Sequence, residues 1–390
     1  MLPLAFLTAV PGWALMLMAA LGTGYTLAAA WVFRARYRTA YVPGAVPRSN
    51  AAVTLLKPLY GAEPRLVENL ATFLEQDHDG PVQVLCGVQR ADDPAILAVH
   101  ELKVRYPDAR IDLVIDSTRH GASGKISNLC NMIGSAEHDI LILSDSDMAA
   151  DRDYLARVVA ALEAPGVGAV SCLYRGHGEA GFWSRFGAAG IAWQFLPSAA
   201  FGVAMGLARP CMGSTIAMHR AVLDSIGGFA RFADILADDY AIGEAVWAQG
   251  REVAVLGPIV THGSAEGGLG ELWRHELRWG ATVRGVVPAA YVSNVMSMPL
   301  PLALGAAAFH PAVGLAMVAI ACAARFLLAA TVDDATGLAP APLWLLPWRD
   351  LFGFAVFVAS FFTRKIDWRG NHLRLGAGSG LTTLTETAPQ

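Results

Sequence analysis

No lysine, arginine, aspartate or glutamate occurs in the first 33 residues of this chain. Trp13 to Phe33 alone is long enough to cross a bilayer as a helix. Arg34, Arg36 and Arg38 come after the apolar run, whereas a signal peptide carries its positive charge in front of it. The segment is therefore expected to be an uncleaved anchor with the following domain in the cytoplasm. Two more apolar stretches, Val286 to Phe309 and Pro311 to Ala330, meet at a His-Pro dipeptide and are expected to form a hairpin of spans. A third, Leu343 to Phe362, is interrupted by Pro347, Arg349 and Asp350, and is expected to span, to lie in the interface or to re-enter.

Composition agrees with a multi-pass protein of the inner (cytoplasmic) membrane. Hydrophobic residues are 54% of the 390 and charged residues 16%, with a mean hydropathy of +0.42, too apolar for an ordinary soluble enzyme. The net charge of -4 and the absence of a single-sign charge run argue against a nucleic-acid partner. Nothing in the sequence points to a protein partner. The five cysteines show no CxxC spacing and are expected to be reduced thiols.

Four regions follow: an anchor over 1–34, a cytoplasmic domain over 48–284, membrane segments over 285–363, and a basic, then disordered, tail over 364–390. In the domain, "AAVTLL" (Ala51 to Leu56), "VQVLCGV" (Val82 to Val88), "IDLVI" (Ile111 to Ile115) and "ILIL" (Ile140 to Leu143) are predicted strands. Helical patterns fall between them, over Pro64 to Leu74, Pro94 to Tyr106 and Lys125 to Ile133. That alternation means an α/β, doubly wound, mostly parallel sheet. "VGAVSC", "GSTIAMH" and "EVAVLG" make the second half more mixed.

Three pairs of aspartates stand one residue apart: Asp77/Asp79, Asp145/Asp147 and Asp151/Asp153. Only Asp145/Asp147 directly follows a run apolar on both faces, as a central parallel strand is. The carboxyl end of such a strand is where open α/β sheets bind ligands, and two carboxylates there can share a hard divalent cation such as Mg or Mn. The plainer alternative is a solvated loop, with Asp153 capping a helix at Tyr154 to Leu162.

Further polar clusters fall at element ends. Asp92 and Asp93 precede Pro94 at a helix start, where they could hold a base or ribose or simply cap the helix. Lys125 and Asn128 follow a glycine-rich turn that suits a phosphate but lacks the Walker spacing. Asp238 and Asp239 open a helix, where an acid is usually a cap. "WRHELRWGATVR" gathers Trp273, Arg274, Arg278, Trp279 and Arg284 before the first C-terminal span. It reads as an interfacial amphipathic helix with snorkelling arginines, and a guanidinium there could also clamp a pyrophosphate.

In this order, "LLKPLYGAEPRLVENLATFLEQD", "GVQRADDPA", "GKISNL", "SDSDM", "GGF...LADDY" and "HELRW" resemble the ceramide glucosyltransferase family (glycosyltransferase family 21), most closely its bacterial branch that includes the hopanoid-biosynthesis-associated glycosyltransferases. The resemblance runs from about Val53 to Arg284 and continues more weakly to "DWRGNHLRL". It implies a GT-A-like nucleotide-diphospho-sugar transferase fold flanked by transmembrane helices. It places the donor, a UDP-sugar, near Lys57, Pro58, Asp92, Asp93, Lys125, Asn128 and Asp145, the metal on Asp145 and Asp147, and the general base on Asp239 beside Asp238. The family's closing (Q/R)xxRW element falls on Arg278 and Trp279, with His275 departing from the first position. Direct displacement aided by one base inverts the anomeric carbon.

The acceptor is then expected to be a membrane lipid hydroxyl, ceramide first, with UDP-N-acetylglucosamine and a hopanoid polyol or diacylglycerol as the alternative. The weakly charged stretch Gly181 to Gly213 is expected to be either a buried helical insert or a membrane-facing surface. A processive polysaccharide synthase would share the sheet but needs more spans than this chain offers.

Overall fold

The computed structural model describes residues 4–37 and 49–363, and the backbone of strands at 365–368, 371–375 and 381–383. Helix α1 (Leu4–Arg36) comes first. Then strands and helices alternate: β1 (Val53–Pro58), α2 (Leu66–Thr72), β2 (Val82–Val88), α3 (Ala95–Arg105), β3 (Arg110–Ile115), α4 (Gly124–Met132) and β4 (Ile140–Leu143). After them come β5 (Met148–Ala150), α5 (Tyr154–Leu162) and β6 (Val167–Gly178). An insert of α6 (Phe182–Gly190), a π turn (Ile191–Phe195) and α7 (Leu196–Ala204) precedes β7 (Ile216–His219), α8 (Arg220–Ser225), α9 (Asp238–Trp247) and β8 (Glu252–Ser264). The helices α10 (Leu269–Val286), α11 (Pro288–Ser293), α12 (Pro299–Phe309), α13 (Pro311–Thr336) and α14 (Leu346–Ser360) follow. Last are β9 (Lys365–Trp368), β10 (Asn371–Leu375) and β11 (Leu381–Thr383), which form a small sheet of their own. The tail expected to be disordered begins inside β11, and its remainder lies outside the described residues, as do Arg364 and Arg369.

Contacts divide the chain into two compact units. One holds the large sheet, from 41–175, 206–265 and 367–390; the other is helical, from 1–40, 176–205 and 266–366. In the first, eight strands run in the order β3-β2-β1-β4-β7-β6-β8-β5. β3, β2, β1 and β4 are parallel neighbours. β7 pairs antiparallel with β4 and β6, and β5 antiparallel with β8. The parallel half forms because its strands are apolar on both faces. Leu55, Val84 and Ile142 feed one buried cluster while their sequence neighbours Leu56, Leu85, Leu141 and Leu143 feed another. Helices must therefore cover both sides of the sheet.

In the helical unit, and among the described residues, four helices are long and apolar enough to cross a membrane: Val10–Arg36, Phe182–Ala204, Pro311–Thr336 and Leu343–Ser360. Val286 to Phe309, expected as one span, is instead broken by a 67° bend between Pro288–Ser297 and Pro299–Phe309. Pro299 and Pro301 supply no backbone N–H, so the helix restarts there. α12 runs up α1: Gly22 packs against Met296 and Pro299, Gly305 against Leu15, and Gly12 against Phe309 and His310. The His310 ring lies 4.7 Å from that of Trp13.

α14 packs beside α10, with Trp273 on Phe352 at 5.7 Å and Arg284 donating to the Phe361 carbonyl at 3.0 Å. Its charges point inward. Arg325 of α13 grips Asp350 at 2.8 and 2.7 Å, with both side chains almost wholly buried. The insert α6–α7 packs within the helical unit. β6 and β7, which precede and follow it, pair with each other.

Candidate functional site

β4 carries four buried aliphatic residues to the centre of the sheet and ends at Ser144-Asp145-Ser146-Asp147. Beneath this turn sits Lys57 of β1, fully buried, donating to Ser144 Oγ (3.0 Å) and to the Asp145 carbonyl (3.1 Å), with its ammonium 3.3 Å from the centre of the Phe73 ring. Burial drives its pKa down to about 7, with Asp145 and Asp147 opposing. Lys57, expected at the donor, holds the turn that presents Asp145. Pro58 ends the same strand, and the next amide, of Leu59, donates to the Gly87 carbonyl.

The chain returns from the turn as β5, too short to read from the sequence. Its register with β8 sets Met148 opposite His262, and the Gly263 amide donates to the Asp147 carbonyl at 2.8 Å. His262 Nε2 thus lies 3.3 Å from Asp147 Oδ2. Nothing in "VTHGS" marks this histidine, because the pairing that places it joins segments more than a hundred residues apart.

Lys125, in the first turn of α4, pairs with Asp145 at 2.6 Å and with Asp238 at 3.6 Å. Burial opposes its charge, but Asp145, Asp238 and Asp239 together outweigh that and raise its pKa. Gly213 joins the two acid groups. It accepts from the Asp145 amide at 3.1 Å and donates its own N–H to Asp239 Oδ2 at 3.0 Å. A Cβ on it would fall 2.5 Å from Asp145 Oδ2 and 2.9 Å from Lys125 Nζ, so a larger residue would have to push both side chains aside. Asp239 Oδ1 takes the Tyr240 amide at 2.8 Å. Asp238 is buried, while Asp239 is partly exposed. Burial raises both carboxyls, that of Asp238 to about 7, with Lys125 pulling the other way. Tyr174 also feels these acids, its phenol raised first by burial and then by Asp239, Asp147 and Asp145.

Asp93 and Asn128 tie neighbouring elements together. Asp93 Oδ1 accepts from Gly61 and Ala95, both at 2.9 Å, tying the loop after β1 to the start of α3. Asp92 is exposed and paired with Arg90, which lowers its pKa by hydrogen bonding. Asn128 is buried and donates to the Gly87 carbonyl at 2.7 Å, so it docks α4 on β2. Asp151 and Asp153 pair with Arg175 and Arg157. Asp153 stands where a cap would, yet its carboxylate takes Arg157 at 2.6 Å rather than a backbone amide.

His275, Arg278 and Trp279 belong to the helical unit, on α10. His275 Nδ1 hydrogen-bonds Glu266 and its ring stands edge-on to Trp279 at 4.2 Å. Among the described residues, no three His, Cys, Asp or Glu side chains are grouped so as to hold a metal ion together.

The model for glycosyl transferase family 21 matches residues 14–381. The chain belongs to glycosyl transferase family 21. Within the family's reach, it is 23% identical over 361 residues to ceramide glucosyltransferase 3 of Caenorhabditis elegans, covering 85% of this chain and 74% of that one. It is 23% identical over 213 residues to ceramide glucosyltransferase 1 of the same organism, where the match spans 52% of this chain and only 43% of the relative. Among solved structures it is similar to the mannosyltransferase PcManGT of Pyrobaculum calidifontis, in complex with GDP-Man and Mn2+, with a TM-score of 0.50 and 22% identity over 91% of this chain and 99% of the other. That likeness is one of fold. The family 21 chain is thus a glycosyltransferase with a GT-A-like, mostly parallel eight-stranded sheet and several candidate membrane helices.

Proposed function

We propose that the protein transfers one sugar from a UDP-sugar to a lipid hydroxyl with inversion, UDP-glucose and ceramide being the favoured pair. The observation that carries this reading is the arrangement around Gly213. A cluster suited to a nucleotide diphosphate stands on one side, and a single partly exposed carboxylate, Asp239, on the other. The names of the curated relatives support the donor and acceptor.

Asp145 and Asp147 suit Mg or Mn: two hard carboxylates leave positions open for phosphate oxygens, and His262 Nε2, 3.3 Å from Asp147 Oδ2, steadies the second of them. When bound, the cation supplies positive charge against the leaving diphosphate. The GDP-Man and Mn2+ of the solved neighbour support this assignment. Arg278, which matches the family's closing element, is carried over from that resemblance as the guanidinium for the diphosphate.

Asp239 then takes the proton of the acceptor hydroxyl. The oxygen forms its bond to the anomeric carbon from one face as the bond to the phosphate oxygen breaks on the other, and UDP leaves with the electron pair. The two amides on Asp239 hold it ionised and aimed. Burial, by raising its pKa, makes it a stronger base than a surface aspartate.

The test is mass spectrometry of lipids after purified full-length protein meets a panel of UDP-sugars and acceptors. UDP-glucose with ceramide should give a singly glycosylated lipid. Product only from UDP-N-acetylglucosamine with a hopanoid polyol would move the assignment within the family, and polymeric product would replace it with a processive synthase.

A further inference from the structure

In the helical unit, Arg349 of α14 reaches Glu276 of α10, its Nη2 donating to both carboxylate oxygens at 2.7 and 2.8 Å. The Arg349 side chain is 4% exposed and its guanidinium lies over the rings of Phe186 and Phe352 at 5.5 and 5.2 Å. It passes so close to Gly190 that a Cβ there would fall 2.0 Å from Nη2. We propose that Arg349 is a positioning residue, which fixes the rotation of α10 and thereby the direction in which Arg278 and Trp279 are presented.

Two observations and one general argument carry this. First, Glu276 and His275 are neighbours on α10, about 100° apart around the helix, and each is held: Glu276 by Arg349 of α14, His275 by Glu266 in the segment that leads into α10. Two holds from different directions allow one rotation only. Second, α14 is itself locked, because the next residue, Asp350, is gripped by Arg325 of α13 and accepts from Gln194 at 3.2 Å. Third, a buried ion pair is a weak source of stability, since apolar residues of similar volume usually serve as well. Its best-attested use is register. Glu276 falls at a variable position of the (Q/R)xxRW pattern, one that the pattern itself leaves without a task.

The inference rests on the proposed role of Arg278 at the diphosphate, so the experiment separates the two. Full-length protein in lipid nanodiscs is compared as wild type, Glu276→Gln, and Arg349→Met with Glu276→Leu. The double variant removes both charges and should fold with a melting temperature near the wild-type value. Its turnover of UDP-sugar should fall on the order of 10²-fold, as for a misaimed group, with donor KM little changed. Backbone amides from Leu277 to Thr282 should exchange hydrogen faster in both variants. Glu276→Gln, which keeps volume and shape, decides the matter if the double variant does not fold. Wild-type turnover and wild-type exchange in a folded variant would overturn the proposal and leave Arg349 a packing residue. If wild type consumes no UDP-sugar, the functional reading falls, and unchanged exchange in Glu276→Gln would then overturn the positioning role separately.

Discussion

Asp238 and Asp239 share one helix start, yet burial and hydrogen bonding separate them: Asp239 is partly exposed and accepts from two amides, and Asp238 is buried against Lys125. Asp239→Asn should lower turnover by roughly 10²-fold or more, the usual loss of a general base, while UDP still binds. Near-normal turnover in Asp239→Asn with an inactive Asp238→Asn would reverse the assignment. Asp238 also bears on stability. Its folded pKa of about 7 stands above that of an unfolded aspartate, so the folded protein keeps a proton that the unfolded chain has released. The contribution is present at low pH and is lost as pH rises toward 7. Asp238→Asn removes that loss, so its melting temperature relative to wild type should rise between pH 5 and pH 8, and a constant difference would contradict the burial account. Of the aspartate pairs, Asp147→Ala should abolish divalent-ion dependence and most activity, and Asp153→Ala, whose partner is Arg157, should spare both. The strand end that carries Asp145 and Asp147 was legible because a fully apolar run leads into it. The inward turn of Lys57 and Asn128 was not, because motif order says which residues matter and not what they touch.

At the scale of elements, β2, β4 and α5 were legible to the residue, since unbroken apolar runs and a helical period need no distant partner. β5 was missed: three residues leave no pattern, and its register is imposed by β8. His262 arrives only through that register. His262→Ala should therefore weaken Mn2+ binding, measured by calorimetry in the presence of UDP, without unfolding the sheet. Unchanged affinity would remove His262 from the site. The same limit applied in the lipid part. Hydropathy found Val286 to Phe309, but the two prolines that break it act on backbone geometry, to which a hydropathy average is blind.

For the whole molecule, positive-inside reasoning puts Arg34 and Arg36 in the cytoplasm. α12 climbs α1 from Gly22 to Gly12, away from those arginines, so His310 should lie on the far side and α13 should return the chain to the cytoplasm. α14, packed beside α10, should stay at the cytoplasmic interface. Cysteines placed at His310 and Gly337 should react with an impermeant reagent from outside and from inside respectively. The reverse pattern would invert the topology. The central claim, that Asp239 drives a single displacement at the site around Gly213, is tested most directly by the anomeric configuration of the product. Wild-type protein given an α-linked UDP-sugar and a lipid acceptor should yield a β-glycoside by NMR, and Asp239→Asn should yield almost none. An α-glycoside, or undiminished product from Asp239→Asn, would contradict the account.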